Sequence, residues 1–203
     1  MKTAPMVPAA PWRSVIDAVL WFHPATPAAR DALAPELSQR AGLPLTLGAL
    51  VTYREGPVGP YDEIIGAPLL LWPLVGHVPF IAVDSEPSVE GGRGNWALPK
   101  VLASFDGDVG RPGRATARGE GWAVAVTTSA RKRRLPFAGS FRCVQVWPDA
   151  RPREFSVRVR GRAGLGHAEV EHDAASPLAE WLDAGRHPAI VFSGVQHVLV
   201  PRA

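Results

Sequence analysis

Ile64-Ile65-Gly66-Ala67-Pro68-Leu69-Leu70-Leu71-Trp72-Pro73-Leu74-Val75-Gly76-His77-Val78-Pro79-Phe80-Ile81-Ala82-Val83 is a run of twenty residues with no charge other than the one His77 can carry. Twenty apolar residues in helical form would span a bilayer. The prolines at 68, 73 and 79 oppose that reading, because each removes a helical hydrogen bond and clashes with the preceding turn. Short buried strands accept proline at their ends and at turns. The run therefore reads as core strands of a soluble protein, and no membrane span is expected.

Working outward, the remaining pattern is also strand-like. Trp122 to Val126, Phe155 to Arg160 and Ala189 to Val200 are β-prone stretches between glycine and proline turns, and the second alternates cleanly between apolar and polar positions. Two segments carry helix start signals. Thr26-Pro27 leads into Ala28 to Leu37, where Pro35 makes the end irregular. Ser176-Pro177 leads through Leu178, Trp181 and Leu182 to Gly185, with a cap, an N1 proline, an apolar face and a terminal glycine. The fold class expected is α+β, mostly antiparallel β with a few peripheral helices, as one domain over residues 1–203.

The chain has 203 residues, 46% of them hydrophobic, with a formal charge of +3. That is the composition of a globular protein with one sizeable core. The basic residues are interspersed with nearly as many acids, so the field is mildly positive and suits a small anionic substrate. The single cysteine, Cys143, excludes an intramolecular disulfide and fits a reducing, cytoplasmic setting. Prolines at 5, 8 and 11 interrupt the start of the chain, so no secretory signal is expected.

Chemistry points first to Lys100, one of three lysines among 22 basic residues, within the apolar stretch Trp96 to Ala103. A lysine amine can lose its proton on burial and act as a nucleophile, which an arginine cannot. The bland alternative is an ammonium that snorkels to water. Upstream, Tyr61 and Glu63 lie two apart after a Gly-Pro turn, hence on one face if the chain there is extended. Glu63 could move protons for an amine, or be the solvated tip of a hairpin. The segment from Val83 to Trp96 reads as a strand end, an acidic turn and a glycine-rich loop that leads to the lysine. Its glycines match neither a dinucleotide fingerprint nor a phosphate loop, so nucleotide binding is disfavoured.

Taken together, Gly59-Pro60-Tyr61-x-Glu63, Asp84-Ser85-Glu86-Pro87, Gly92-Arg93 and Pro99-Lys100-x-Leu102 resemble the acetoacetate decarboxylase superfamily in order and spacing. The end of the chain, Ser193 through His197 to Leu199-Val200-Pro201-Arg202, is also similar, so the resemblance spans most of the sequence. It implies a cone-like β-barrel or double sheet, often in homo-oligomers. It also implies a Schiff base between Lys100 and a small keto acid, with Glu63 as the active-site acid and no cofactor. On that reading Tyr61 and Trp96 line the pocket, and Arg93 holds either the loop or a substrate carboxylate.

The chain departs from the family at several points. Acetoacetate decarboxylase is itself the standard example of a lysine activated by a neighbouring cation, yet the residue after Lys100 is Val101. Gly94 stands where relatives usually carry glutamate, and Arg13 is a weak stand-in for the family's earlier arginine. The same imine would equally serve aldol addition or dehydration, and a non-catalytic ligand-binding protein on this fold is the competing class.

Other signals are weaker. Six histidines show no metal-binding spacing, so no metal is expected. Arg131-Lys132-Arg133-Arg134 reads as a solvated hairpin rather than a nucleic-acid surface, and Pro148 to Arg153 as a flexible connection. Cys143 is expected to be a small buried residue, and no GxSxG elbow is present.

Overall fold

The computed structural model describes residues 7–27, 29, 33–37, 42–70, 75–172, 178 and 181–202, the side chains of 42–44 excepted. Its strands are β1 (Trp12–Pro24), β2 (Gly42–Glu55), β3 (Tyr61–Leu70), β4 (Val75–His77), β5 (Phe80–Val83), β6 (Lys100–Leu102), β7 (Ser104–Gly107), β8 (Gly113–Gly119), β9 (Trp122–Ala130), β10 (Leu135–Val146), β11 (Pro152–His172) and β12 (Gly185–Pro201). An α-helix, α1 (Glu86–Trp96), lies between β5 and β6. The strands form a single sheet in the order β10-β4-β3-β2-β1-β12-β11-β9-β8-β7, and β10 also pairs with β11. That second pairing curls part of the sheet into a ring. Strand β11, 21 residues long, serves both parts: its first half pairs with β10 and its second half with β9. Among the described residues the pairings are antiparallel except β10 with β4 and β5 with β6. The mostly antiparallel expectation holds.

Period-two alternation gives the sheet two apolar faces. On β1, Ile16, Leu20 and Phe22 face the inside of the ring, while Val19 and Trp21 pack into a second core with Ile64 of β3, Leu178 and Leu182. The uncharged run from Ile64 to Val83 supplies β3, β4 and β5, with residues 71–74 outside the described set. Pro68 is accommodated near the end of β3, where the register with β2 shifts. Among the described residues no helix is long and apolar enough to cross a membrane.

The segment expected to be a glycine-rich loop is instead α1. Ser85 caps it from an extended conformation, its hydroxyl accepting from the Ser88 amide at 3.3 Å, and Pro87 sits in the first turn. These are ordinary start signals. Three glycines in eleven residues hide them, since glycine weakens a helix, but two of the glycines are required by packing. A Cβ on Gly91 would stand 2.4 Å from the Trp12 ring, and one on Gly92 would stand 2.6 Å from Cδ of Lys100. Gly94 has nothing within 4 Å. The helix is thin on the side that meets the site.

The two helices expected from start signals fall largely outside the described residues. Of the first, Pro35–Leu37 forms a 3-10 turn. Of the second, the Leu182 amide donates to the Leu178 carbonyl at 2.7 Å, one helical turn, and Gly185 begins β12. The 131–134 run is an exposed link between β9 and β10, with Arg134 half-buried at its end. The 148–153 connection is a turn in which Arg153 pairs with Asp149 at 2.5 Å.

The helix glycines are separable by experiment. Gly91→Ala should lose about 1–3 kcal/mol by overpacking against Trp12. Gly94→Ala should gain about 0.5–1 kcal/mol from helix propensity alone. Urea denaturation of the two variants beside the wild type checks both signs.

Candidate active site

Lys100 opens the three-residue strand β6, and strand alternation turns it inward while Val101 points out. Lys100 is 2% exposed and Val101 41%. A cation at position 101 would therefore sit on the surface of the chain, and the charge of Lys100 must be set by other groups. The approach to β6 is rigidly specified. Ala97 ends α1 in the left-handed region at φ 50°, a conformation that disfavours a side chain, and its amide returns to the Arg93 carbonyl. The Leu98 amide donates to the Gly92 carbonyl at 3.1 Å, and the Lys100 amide to the Leu98 carbonyl at 2.8 Å. Arg93 clamps the far side of this turn, its Nε and Nη2 donating to the Lys100 carbonyl at 3.0 and 2.6 Å.

Arg93 itself is exposed and does not line the cavity. Of the two roles open to it, the geometry matches the one that holds the loop. Helix α1 presents glycines to the lysine and carries Arg93 on its outer side.

The head of Lys100 is fully hydrogen-bonded. Nζ donates to Glu63 Oε2 at 2.7 Å, to Ser88 Oγ at 2.9 Å and to Tyr61 Oη at 3.4 Å, which accounts for the three protons of an ammonium. Glu63 is 2% exposed, so the solvated-tip alternative fails. Tyr53 Oη donates to the other carboxylate oxygen, Oε1, at 3.3 Å, and its ring stacks on Tyr61 with centroids 4.1 Å apart. Tyr53 and Tyr61 face each other across β2 and β3, as do Val51 and Glu63. Burial alone would push the Lys100 amine down, but Glu63 and Tyr61 hold it above the ordinary lysine value. Burial and Glu63 push the Tyr53 phenol up, and burial raises Tyr61 against the pull of Lys100. His197, edge-on to Tyr53 at 5.7 Å between centroids, is pushed down to about 4 by burial and then by Lys100, so its imidazole is neutral at neutral pH.

This cluster opens on a cavity of ≈ 480 Å³ inside the ring. Trp96 lines it, edge-on to Trp12 at 6.3 Å between centroids. Tyr61 contacts the lysine but is not part of the wall; Tyr53, which sequence reasoning missed, is. Ser88 was missed because its helix was read as a loop. His197 lay in a segment noted only for its similarity to the family's end. Arg13 lies in a separate surface pocket with Glu55 and His197. Cys143 is buried in the cavity wall, and burial pushes its thiol up to about 12, which leaves it inert. Among the described residues no three His, Cys, Asp or Glu side chains group as a metal site.

No family model matches the sequence, and no curated protein does. Solved structures do match in shape. An acetoacetate decarboxylase superposes with a TM-score of 0.69 over 100% of this chain and 93% of its own, at 14% identity. The acetoacetate decarboxylase of Legionella pneumophila gives 0.67 over 99% and 89%, at 15% identity. The enduracididine biosynthesis enzyme MppR, complexed with pyruvate, gives 0.64 over 96% and 89%, also at 15% identity. Neighbours this distant in sequence agree in architecture from one end of the chain to the other, and on that ground the protein has the acetoacetate decarboxylase-like fold.

Proposed function

We propose that the protein is a Schiff-base enzyme that decarboxylates a keto acid at Lys100. The observation that carries this reading is an amine buried in an apolar cavity and joined at 2.7 Å to a buried carboxylate, Glu63. Charges are seldom buried in this way without a use for them. Transfer of one proton from Nζ to Oε2 converts the ion pair into a free amine and a carboxylic acid. The amine attacks the keto carbon: a carbon–nitrogen bond forms as the carbonyl π bond breaks onto oxygen, and one amine proton moves to that oxygen to give a carbinolamine. The acid then protonates the departing hydroxyl, and loss of water leaves an iminium cation.

That cation is the electron sink. The bond to the substrate carboxylate breaks, its electron pair moves into the iminium, and carbon dioxide leaves. The enamine takes a proton on carbon, and water returns the ketone and the amine. Tyr61 and Ser88 hold Nζ near the carboxylate, while Tyr53 holds the carboxylate near Nζ. An aldol or dehydration outcome uses the same iminium, and the likeness to a pyruvate-bound enzyme keeps it as the second reading. The competing binding-protein reading draws on the fully hydrogen-bonded ammonium, which a resting scaffold would also display.

Borohydride reduction in the presence of a keto acid should fix one ligand per chain at Lys100, read by peptide mass spectrometry. Lys100→Arg should abolish the adduct, and no adduct from folded wild type with any carbonyl compound would remove the Schiff-base reading.

Glu63→Gln tests the charge balance. With the carboxylate gone, burial is left as the main influence and the Lys100 amine should titrate lower than in wild type. The pH profile of acetic anhydride labelling at Lys100 should move to lower pH, while turnover falls about 10²–10⁴-fold for loss of the proton carrier. An unmoved labelling profile would show that Glu63 does not set the charge. In wild type the raised pKa implies a stabilising contribution that is complete below the ordinary lysine range and is lost as pH rises through the folded value. Alkaline denaturation should reveal that loss.

A further inference from the structure

The cavity is much larger than its chemistry needs. Its ≈ 480 Å³ lies in the range of pockets that enclose drug-sized ligands, about 300–1,000 Å³, and a four-carbon acid would leave most of it unfilled. The volume has a direction. Glu63, Ile65, Ala67 and Leu69 line it at every second position of β3, and Tyr53, Val51, Ala49 and Leu47 line it beside them on β2. The six steps from Glu63 to Leu69 give a contour of about 20 Å at roughly 3.3 Å per residue. Beyond Glu63 that stripe is wholly apolar. Ser140 and Phe141 of β10 are exposed and also line the cavity, so it reaches the surface there.

The polar groups are at the lysine end or at the mouth. The charged side chains among the lining residues are Lys100, Glu63 and Arg142, and Arg142 is paired with Glu154 at 3.2 Å.

We propose that the ligand is a long-chain 3-oxo acid, with its keto carbon at Lys100 and its alkyl tail lying along β2 and β3. This rests on the Schiff-base reading above and replaces a small acid by an amphipathic one. The reaction is then a 3-oxo acid going to an alkyl methyl ketone and carbon dioxide. The iminium formed on Lys100 is the cation facing the carboxylate, and both charges vanish as carbon dioxide leaves. The apolar stripe adds binding in proportion to the methylenes it covers, about fourfold in affinity for each.

The test uses acetoacetate, 3-oxohexanoate, 3-oxooctanoate and 3-oxododecanoate with the full chain, measuring borohydride-trapped adduct by intact mass and binding by tryptophan fluorescence. Half-saturation should fall about fourfold per added methylene until the channel is full. Ala67→Phe, which blocks the middle of the stripe, should remove the advantage of the longest acid over acetoacetate.

Adducts that form equally well with acetoacetate and the longest acid would overturn the tail site and leave the Schiff base standing. Chain-length-dependent fluorescence without any adduct at Lys100 would support the tail site and remove the Schiff base. Neither adduct nor binding would overturn both. The wild-type series decides the matter even if a variant fails to fold.

Discussion

An ammonium and a carboxylate shut away from water are the constraint around which this protein is arranged. Removing two charges from water is unfavourable by several kcal/mol per ion, and their attraction compensates only when the remaining protons and lone pairs are also satisfied. The structure meets that condition with Ser88 and Tyr61 on the lysine and Tyr53 on the glutamate. Each comes from a different element. The thin side of α1, the left-handed alanine at its end and the arginine clamp on the backbone of Lys100 all serve to bring one amine to one carboxylate.

Much of this was readable before any coordinates. Tyr61 and Glu63 reach the lysine because a strand repeats every two residues, and Lys100 stood out because amine chemistry needs an amine in apolar surroundings. The prolines in the run from Ile64 to Val83 excluded a membrane helix and indicated strands that carry part of the cavity wall. What could not be read depends on long-range pairing. Tyr53 reaches Glu63 through the register of β2 against β3, and His197 reaches Tyr53 through the packing of β12. Nothing local to either residue marks it. Helix α1 is a different case, because Ser85 and Pro87 do announce it. The glycines that argued against it are there for the Trp12 ring and the lysine stem, a reason that lies outside the helix.

The alternation of β1, β2 and β3 also separates two tasks. Odd positions of β3 face the cavity, where space is kept open, and even positions such as Ile64 face a packed second core with Trp21 and Leu182. A sheet that leaves a void on one face loses contacts there. The dense packing on its other face is what allows the void to persist, and the two faces cannot be exchanged without shifting the register by one residue.

The pairing of β12 with β1 has a consequence in time. A chain emerging from the ribosome, its N-terminal part first, can form the β2–β3 hairpin and α1 early, but the wall containing His197 and Phe192 is not made until residues 185–201 are free. Until then Lys100 is an ordinary wet amine beside an ordinary wet carboxylate. The nascent protein therefore lacks one wall around Lys100 and Glu63 until β12 has been made, however early the hairpin that carries Glu63 forms.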